Sequence, residues 1–326
     1  MNDIETVKFN DCILENIGWP SYLNFYINGK KYKNVFLRSM SDRLEYLENG
    51  ESVDINYDNE VETPCFFLFD EYGGNYFHYF TDCFSKLNTF LNIKKINSNI
   101  KILIIEEYLH LPFIIDSLKL LFNNIDDIMI MQNNKKIKFK NLIVPKPPYY
   151  WPDENIPDIV FSTIEMISYK VNSDSLKNGI YISRQDTIKN NWWHNRDLKN
   201  ELNLIDMIKK DLNYDVVELM DLSLFDKIKI FKSYKNIIQQ NSASTVNILF
   251  CNPNTNCHII SHPIMYKWAN PLLKKMSIYK KLNFYEYNYG EICKDTPPSS
   301  DDCNNIPWEI NNLSHLIQKV LENSKI

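Results

Sequence analysis

Between residues 179 and 250 the chain alternates short apolar runs with helix-period segments, and few folds accommodate that alternation. Gly179-Ile-Tyr-Ile-Ser183 reads as a short buried strand after a glycine break. Over residues 197–213, Leu198, Leu202, Ile205 and Ile208 recur at spacings of three and four, which puts them on one helical face. Asp215-Val-Val-Glu-Leu219 is the next strand. Ser223 stands where an N-cap is needed for a helix over 224–233, and Asn236-Ile-Ile-Gln-Gln240 is a third strand. This is a βαβαβ run, and its last strand leads into Asn241-Ser-Ala-Ser-Thr-Val-Asn-Ile-Leu-Phe250, a helix opened by small and hydroxyl-bearing residues.

Two places in this run suit an anion. The chain has four arginines, Arg38, Arg43, Arg184 and Arg196, and the last two flank the stretch from Tyr181-Ile-Ser-Arg184 to Trp192-Trp-His-Asn-Arg196. A guanidinium offers phosphate a planar fork that an ammonium cannot copy. Arg184 follows the first strand, at the carboxyl end where open α/β sheets bind ligands. The second place is the helix start at Ser242, Ala243 and Ser244, whose small side chains let a phosphate approach free N–H groups and the positive end of the helix dipole. The alternatives are a surface ion pair for Arg184 and an ordinary capped helix packed on its sheet.

The N-terminal part reads as a different α/β unit. Residues 22–27 and 30–37 flank Asn28-Gly29, a hairpin signal with a primed turn, and residues 53–57 suggest an edge strand. After Pro64 come a strand over 65–70, a turn at Tyr72-Gly-Gly74, a helix over 75–91, a strand over 100–105, a helix over 111–122 and a strand over 128–131. The Pro-rich segment Pro145-Lys-Pro-Pro-Tyr-Tyr-Trp-Pro152 marks the break between lobes, with a helix over 158–170 leading into the second. The expected domains are thus 1–152, 153–290 and a C-terminal loop and helix over 291–326.

Order and spacing carry a family resemblance. Ser183-Arg184, the downstream Arg196 and Glu201, Val217-Glu218, the helix start Leu222-Ser-Leu-Phe225, and the small-residue turn before Asn247-Ile-Leu-Phe250 resemble glycosyltransferase family 61. Its other block, an Asn-Tyr-(Tyr/Phe)-His-Trp…Asp segment, is similar to Asn75-Tyr-Phe-His78-Tyr-Phe-Thr-Asp82. The resemblance spans roughly residues 64–265. It departs from the pattern where many members carry a Gly-Pro-His-Gly-Ala-Gly-like turn: here Gln239-Gln-Asn-Ser-Ala-Ser244 puts Asn241 in place of the histidine. The usual Trp after the first histidine is Tyr79.

The resemblance implies two Rossmann-like lobes in a glycosyltransferase-B-type arrangement. It implies inverting transfer from a nucleotide sugar, expected to be UDP-linked, to a glycan or glycoprotein hydroxyl. The donor would lie on the C-terminal lobe against Ser183, Arg184, Arg196, Glu218 and Asn241, Ser242, Ala243 and Ser244. Gly74 and Asn75 would form a cleft loop in the first lobe, where Asn75 can also cap the helix. There His78 and Asp82 stand four residues apart on one helical face, so the carboxylate can orient the ring and raise its basicity; one of the two is the expected base. A catalytically degenerate sugar-nucleotide- or glycan-binding homologue is the alternative, because Asn241 keeps a donor but not the imidazole charge.

Composition narrows the field further. With 44% apolar and 13% aromatic residues, 326 residues can fill two cores. A net charge of -5 with no basic stripe argues against nucleic acid as a partner. No apolar run approaches the roughly 20 residues of a membrane helix, the start lacks signal-peptide regions, and the seven scattered cysteines suit reduced thiols, so a cytoplasmic protein is expected. No Asp-x-Asp motif occurs, so no cofactor or metal is expected beyond the nucleotide-sugar co-substrate. His258 and His262 have metal-ligand spacing, but Ile259-Ile260 between them suggests a strand. Seven glycines with no Gly-x-Gly-x-x-Gly turn set aside a dinucleotide oxidoreductase. Trp192-Trp193 reads either as a sugar-stacking platform or as a loop anchor.

Overall fold

The computed structural model describes residues 4–16, 23–33, 51–52, 55–69, 72–122, 125–146, 148, 156–173, 175–185, 198–263, 266–292 and 307–325. The chain divides into two compact units, Met1–Lys170 and Val171–Ile326. Both are mixed α/β, and no helix among the described residues is long and apolar enough to cross a membrane.

Among the described residues the first unit carries a nine-stranded sheet. Its strands are β1 (Thr6–Glu15), β2 (Asn24–Ile27), β3 (Lys30–Lys33), β4 (Glu51–Ser52), β5 (Asn59–Val61), β6 (Cys65–Phe67), β7 (Lys101–Ile105), β8 (Ile128–Met131) and β9 (Lys136–Pro145). Their order is β4-β3-β2-β1-β9-β6-β7-β8, with β5 also on β9. The hairpin β2–β3 turns through Asn28 and Gly29 at φ 52° and 75°, the left-handed pair that a primed turn requires. The edge strand lies at Glu51–Ser52, before the expected stretch, of which 53–54 fall outside the described residues.

Two of the longest strands were not expected at all. β1 and β9 pair antiparallel from Thr6↔Pro145 to Glu15↔Lys136. β9 buries Ile137 and Phe139 in its first half but Leu142 and Val144 in its second. The change of face accompanies a change of neighbour: β5 pairs the first half and β6 the second. The helix Ile159–Tyr169, expected to lead into the second lobe, falls within the first unit.

Among the described residues the second unit is built on five parallel strands, β10 (Lys177–Ser183), β11 (Asp215–Glu218), β12 (Tyr234–Gln240), β13 (Asn256–Ile260) and β14 (Asn283–Tyr287), in the order β11-β10-β12-β13-β14. The helix after β10 begins at Glu201 rather than before Leu198. Leu198 instead bridges to Trp308, so it does not share the helical phase. As a result Leu202 is 63% exposed, and Leu204, Ile205, Ile208 and Leu212 form the buried stripe. The chain's final helix, Leu313–Asn323, starts later than expected, because Trp308–Ile310 is a strand. Trp308, Ile310, Leu316 and Val320 join Tyr181 and Leu204 in one core.

His258 is a strand residue of this core. Its ring is stacked against Tyr285 and Tyr287, with Nδ1 2.9 Å from the Tyr287 hydroxyl and Nε2 3.3 Å from Ser324 Oγ. Burial lowers its pKa from 6.5 to about 3, so it folds neutral. Because the folded pKa is depressed, the unfolded chain binds the extra proton between these values. His258 therefore contributes stability that is present above pH 6.5 and is lost as pH falls towards 3. Denaturant titrations at pH 7 and pH 5 are expected to differ by about 2 kcal/mol from this residue. His258→Phe should remove that part of the slope, and an unchanged slope in the variant would show that His258 is not its source.

Candidate functional site

In the first unit the chain enters its long helical run through the turn Tyr72–Gly74. A Cβ at Gly74 would lie 3.1 Å from Cε1 of Tyr108, whose ring is stacked on Phe69 with centroids 4.1 Å apart. The missing side chain lets the turn close against that ring. Asn75 then caps the run: its Oδ1 accepts from the N–H of Phe77 at 3.0 Å and of His78 at 3.4 Å.

The helix is not of one pitch. Tyr76–His78 is α-helical, Tyr79–Cys83 is a π segment, Phe84–Lys86 is 3₁₀, and Leu87–Ile96 returns to α. π segments are frequent at functional sites, and this one begins directly after His78. Asp82 lies within it, and its Oδ2 is 2.9 Å from His78 Nδ1. Its other oxygen accepts from the Thr81 hydroxyl at 2.8 Å. A carboxylate can only accept, so a neutral His78 carries its proton on Nδ1 and its lone pair on Nε2. The side chain of His78 is 25% exposed and that of Asp82 4%. The histidine thus reaches solvent while the carboxylate that orients it is shielded, and the Tyr72 ring lies 5.3 Å from the imidazole. Tyr79, in place of the usual Trp, is fully buried and its hydroxyl is held 2.7 Å from Ser117 Oγ. Glu106 serves the fold here, accepting from the N–H of Asn133 at 2.9 Å.

In the second unit the strand order reverses between β10 and β12, because β10 connects outward to β11 on one side and β12 to β13 on the other. Such a reversal leaves a crevice outside the carboxyl ends of the two central strands. The sequence-derived donor residues fall at these ends. Ser183 closes β10, buried, and its Oγ accepts from the Gln185 N–H at 3.2 Å. Arg184 follows, half-buried, with its N–H donating to Glu201 Oε1 at 3.0 Å. Glu218 ends β11 in register with Ser183. Asn241 follows β12, with its N–H on the Ile260 carbonyl at 3.0 Å. Ser242 N-caps the next helix, where its N–H donates to Thr245 Oγ1 at 2.9 Å and its hydroxyl lies 2.8 Å from that of Ser244. That helix, Ala243–Phe250, has 3₁₀ rather than α pitch. Arg196, Trp192 and Trp193 lie outside the described residues, as do Cys293 and Cys303.

Glu201, which enters the family resemblance with no structural task, is fully buried. Besides the Arg184 N–H, its carboxylate accepts from the Tyr181 hydroxyl at 2.8 Å and from Gln185 Nε2 at 2.8 Å. Gln240 Nε2 donates in turn to the Tyr181 hydroxyl at 3.1 Å. Burial beside this carboxylate holds the Tyr181 hydroxyl well above its usual range. The network ties the end of β10 to that of β12 and so fixes the backbone at Arg184. An acidic residue on the helix after a strand–Arg signal was its only trace in the sequence.

The family model described as Glycosyltransferase 61 matches residues 76–258, more than half of the chain, and takes in His78, Asp82, Arg184 and Asn241. No curated protein matches it.

The cap at Asn75 has a measurable weight. Asn75→Ala is expected to cost about 1 kcal/mol of stability, and Asn75→Ser much less, since serine also caps. Thermal melts of the two variants check this; equal melting temperatures for both and for the parent chain would mean that packing alone holds the helix start.

Proposed function

The chain belongs to glycosyltransferase family 61, and on that premise we propose that it transfers a sugar, with inversion, from a nucleoside-diphosphate donor, uridine-linked, to a hydroxyl of a glycan or glycoprotein. One observation carries the donor half of this reading: Ser183-Arg184 and Asn241–Ser244 stand at the carboxyl ends of the two strands that flank the order reversal. In this reading the two units serve as the acceptor and donor lobes of a glycosyltransferase-B arrangement.

The chemistry asks for a base at the attacking oxygen and positive charge at the departing one. His78 Nε2 takes the acceptor's hydroxyl proton as that oxygen bonds to the anomeric carbon. Asp82 holds the ring through Nδ1 and stabilises the imidazolium that forms. The bond from the anomeric carbon to the diphosphate breaks on the opposite face, which inverts the centre. The charge left on the diphosphate is met by the Arg184 guanidinium, the Asn241 amide and the dipole of the helix start.

Two substitutions separate the halves of the site. His78→Ala is expected to lower turnover by roughly 10²–10⁴-fold with donor affinity unchanged. Arg184→Ala should weaken binding of a nucleoside diphosphate by about one to two powers of ten. Turnover and calorimetry on folded variants decide: normal turnover in His78→Ala removes it as the base, and a larger loss in Asp82→Asn transfers that role to Asp82. Donor binding without any turnover in the parent chain would point to the degenerate binding homologue, which the Asn241 substitution favours.

The absence of an Asp-x-Asp motif leaves the diphosphate charge to protein groups. Transfer is therefore expected to survive a chelator. Activity abolished by chelation and restored by manganese or magnesium would refute this.

A further inference from the structure

At the end of β12 three amides follow one another closely, and only one of them is satisfied. Gln240 faces the core that holds Tyr181 and Ile238, and donates to the Tyr181 hydroxyl at 3.1 Å. Gln239 alternates with it and so lies on the opposite face, and Asn241 directly follows the strand's end. Gln239 is 1% exposed, and neither Oε1 nor Nε2 of its amide has a hydrogen-bond partner among the described residues. Asn241 is 6% exposed, and its Nδ2 likewise has none. A buried amide without partners destabilises the fold, and an apolar side chain of the same length would not carry that cost. Polar atoms held in this state at a strand-order reversal are set to receive a ligand.

The unpaired atoms differ in what they can meet. Asn241 presents a donor, which suits an oxygen that only accepts, such as that of a phosphate. Gln239 presents a donor and an acceptor together. A phosphate satisfies only the first, so Gln239 calls for a neutral group that both donates and accepts, either a hydroxyl or the imide edge of a pyrimidine. The two residues are two positions apart in the chain, about 7 Å where the backbone is extended, a separation that one ligand bearing a phosphate next to such a group can span.

We infer that Gln239 is a recognition residue for the nucleotide, pairing with the imide of its base or a hydroxyl of its ribose while Asn241 donates to a phosphate oxygen beside it. This rests on the donor-site reading above and extends it to Gln239, the first residue of the turn in which this chain departs from the family pattern.

The test uses Gln239→Met in the full chain, with UDP and inorganic pyrophosphate as probes. The variant should melt a few degrees higher than the parent without ligand, because the unpaired amide is gone. It should bind UDP about tenfold more weakly, with pyrophosphate binding unchanged. Wild-type titrations with N3-methyl-UDP and 2′-deoxy-UDP assign the partner: loss with the first identifies the imide, loss with the second the ribose hydroxyl. Unchanged UDP affinity overturns the inference, and so does an equal loss for UDP and pyrophosphate. A lower melting temperature also overturns it, since it would mark Gln239 as a structural residue. Failure of the parent chain to bind either probe would sink the donor-site reading itself, an outcome distinct from the others.

Discussion

Gly179 to Ile182 run in parallel register with Asn236 to Gln239, and the chain leaves these two strands in opposite directions across the sheet. The crevice at their carboxyl ends follows from that divergence, since helices that depart to either side leave the ground between them open. The pairing has its own requirements. A Cβ on Gly179 would fall 2.3 Å from the ring of Tyr214, so glycine lets that ring lie over the strand. At the other end, Glu201 gathers the Tyr181 hydroxyl, the Arg184 N–H and the Gln185 amide. A buried carboxylate with three donors is stable where one stripped of them would not be, and the strand end is thereby rigid.

The first unit solves a different problem with local means. A histidine is oriented by a carboxylate one turn further on, and the pair is set into a helix of mixed pitch. Packing of Tyr76, Tyr79, Phe80 and Phe84 around Phe113 and each other accompanies the wide turn. The Tyr79 hydroxyl, which the more usual Trp would not bring, finds Ser117. The substitution therefore leaves no buried oxygen stranded beside the dyad.

How much of this was legible depends on the range over which each signal acts. The Asn28-Gly29 hairpin was readable because left-handed backbone angles select those residues locally. The caps at Asn75 and Ser223 were readable for another local reason, a side-chain oxygen that accepts from N–H groups of the first turn. β9 was missed although Lys136-Ile-Lys-Phe alternates, because the alternation breaks at Lys140-Asn141 where the strand changes neighbours. Leu202 was placed on the wrong face because Leu198, counted as helical, belongs to a bridge with Trp308 more than a hundred residues away.

The sequence by itself determined the alternation of strands and helices in the second unit, the capped entry to the long helix, and the pairing of His78 with Asp82. Each of these is decided within a few residues by backbone angles, side-chain period or helical spacing. The strand order, the placing of Arg184 and Asn241 at the same end of two neighbouring strands, the task of Glu201 and the unpaired amide of Gln239 were decided only by the tertiary structure. They depend on which faces cover one another across distant parts of the chain, and a local pattern of polar and apolar residues is compatible with more than one such covering.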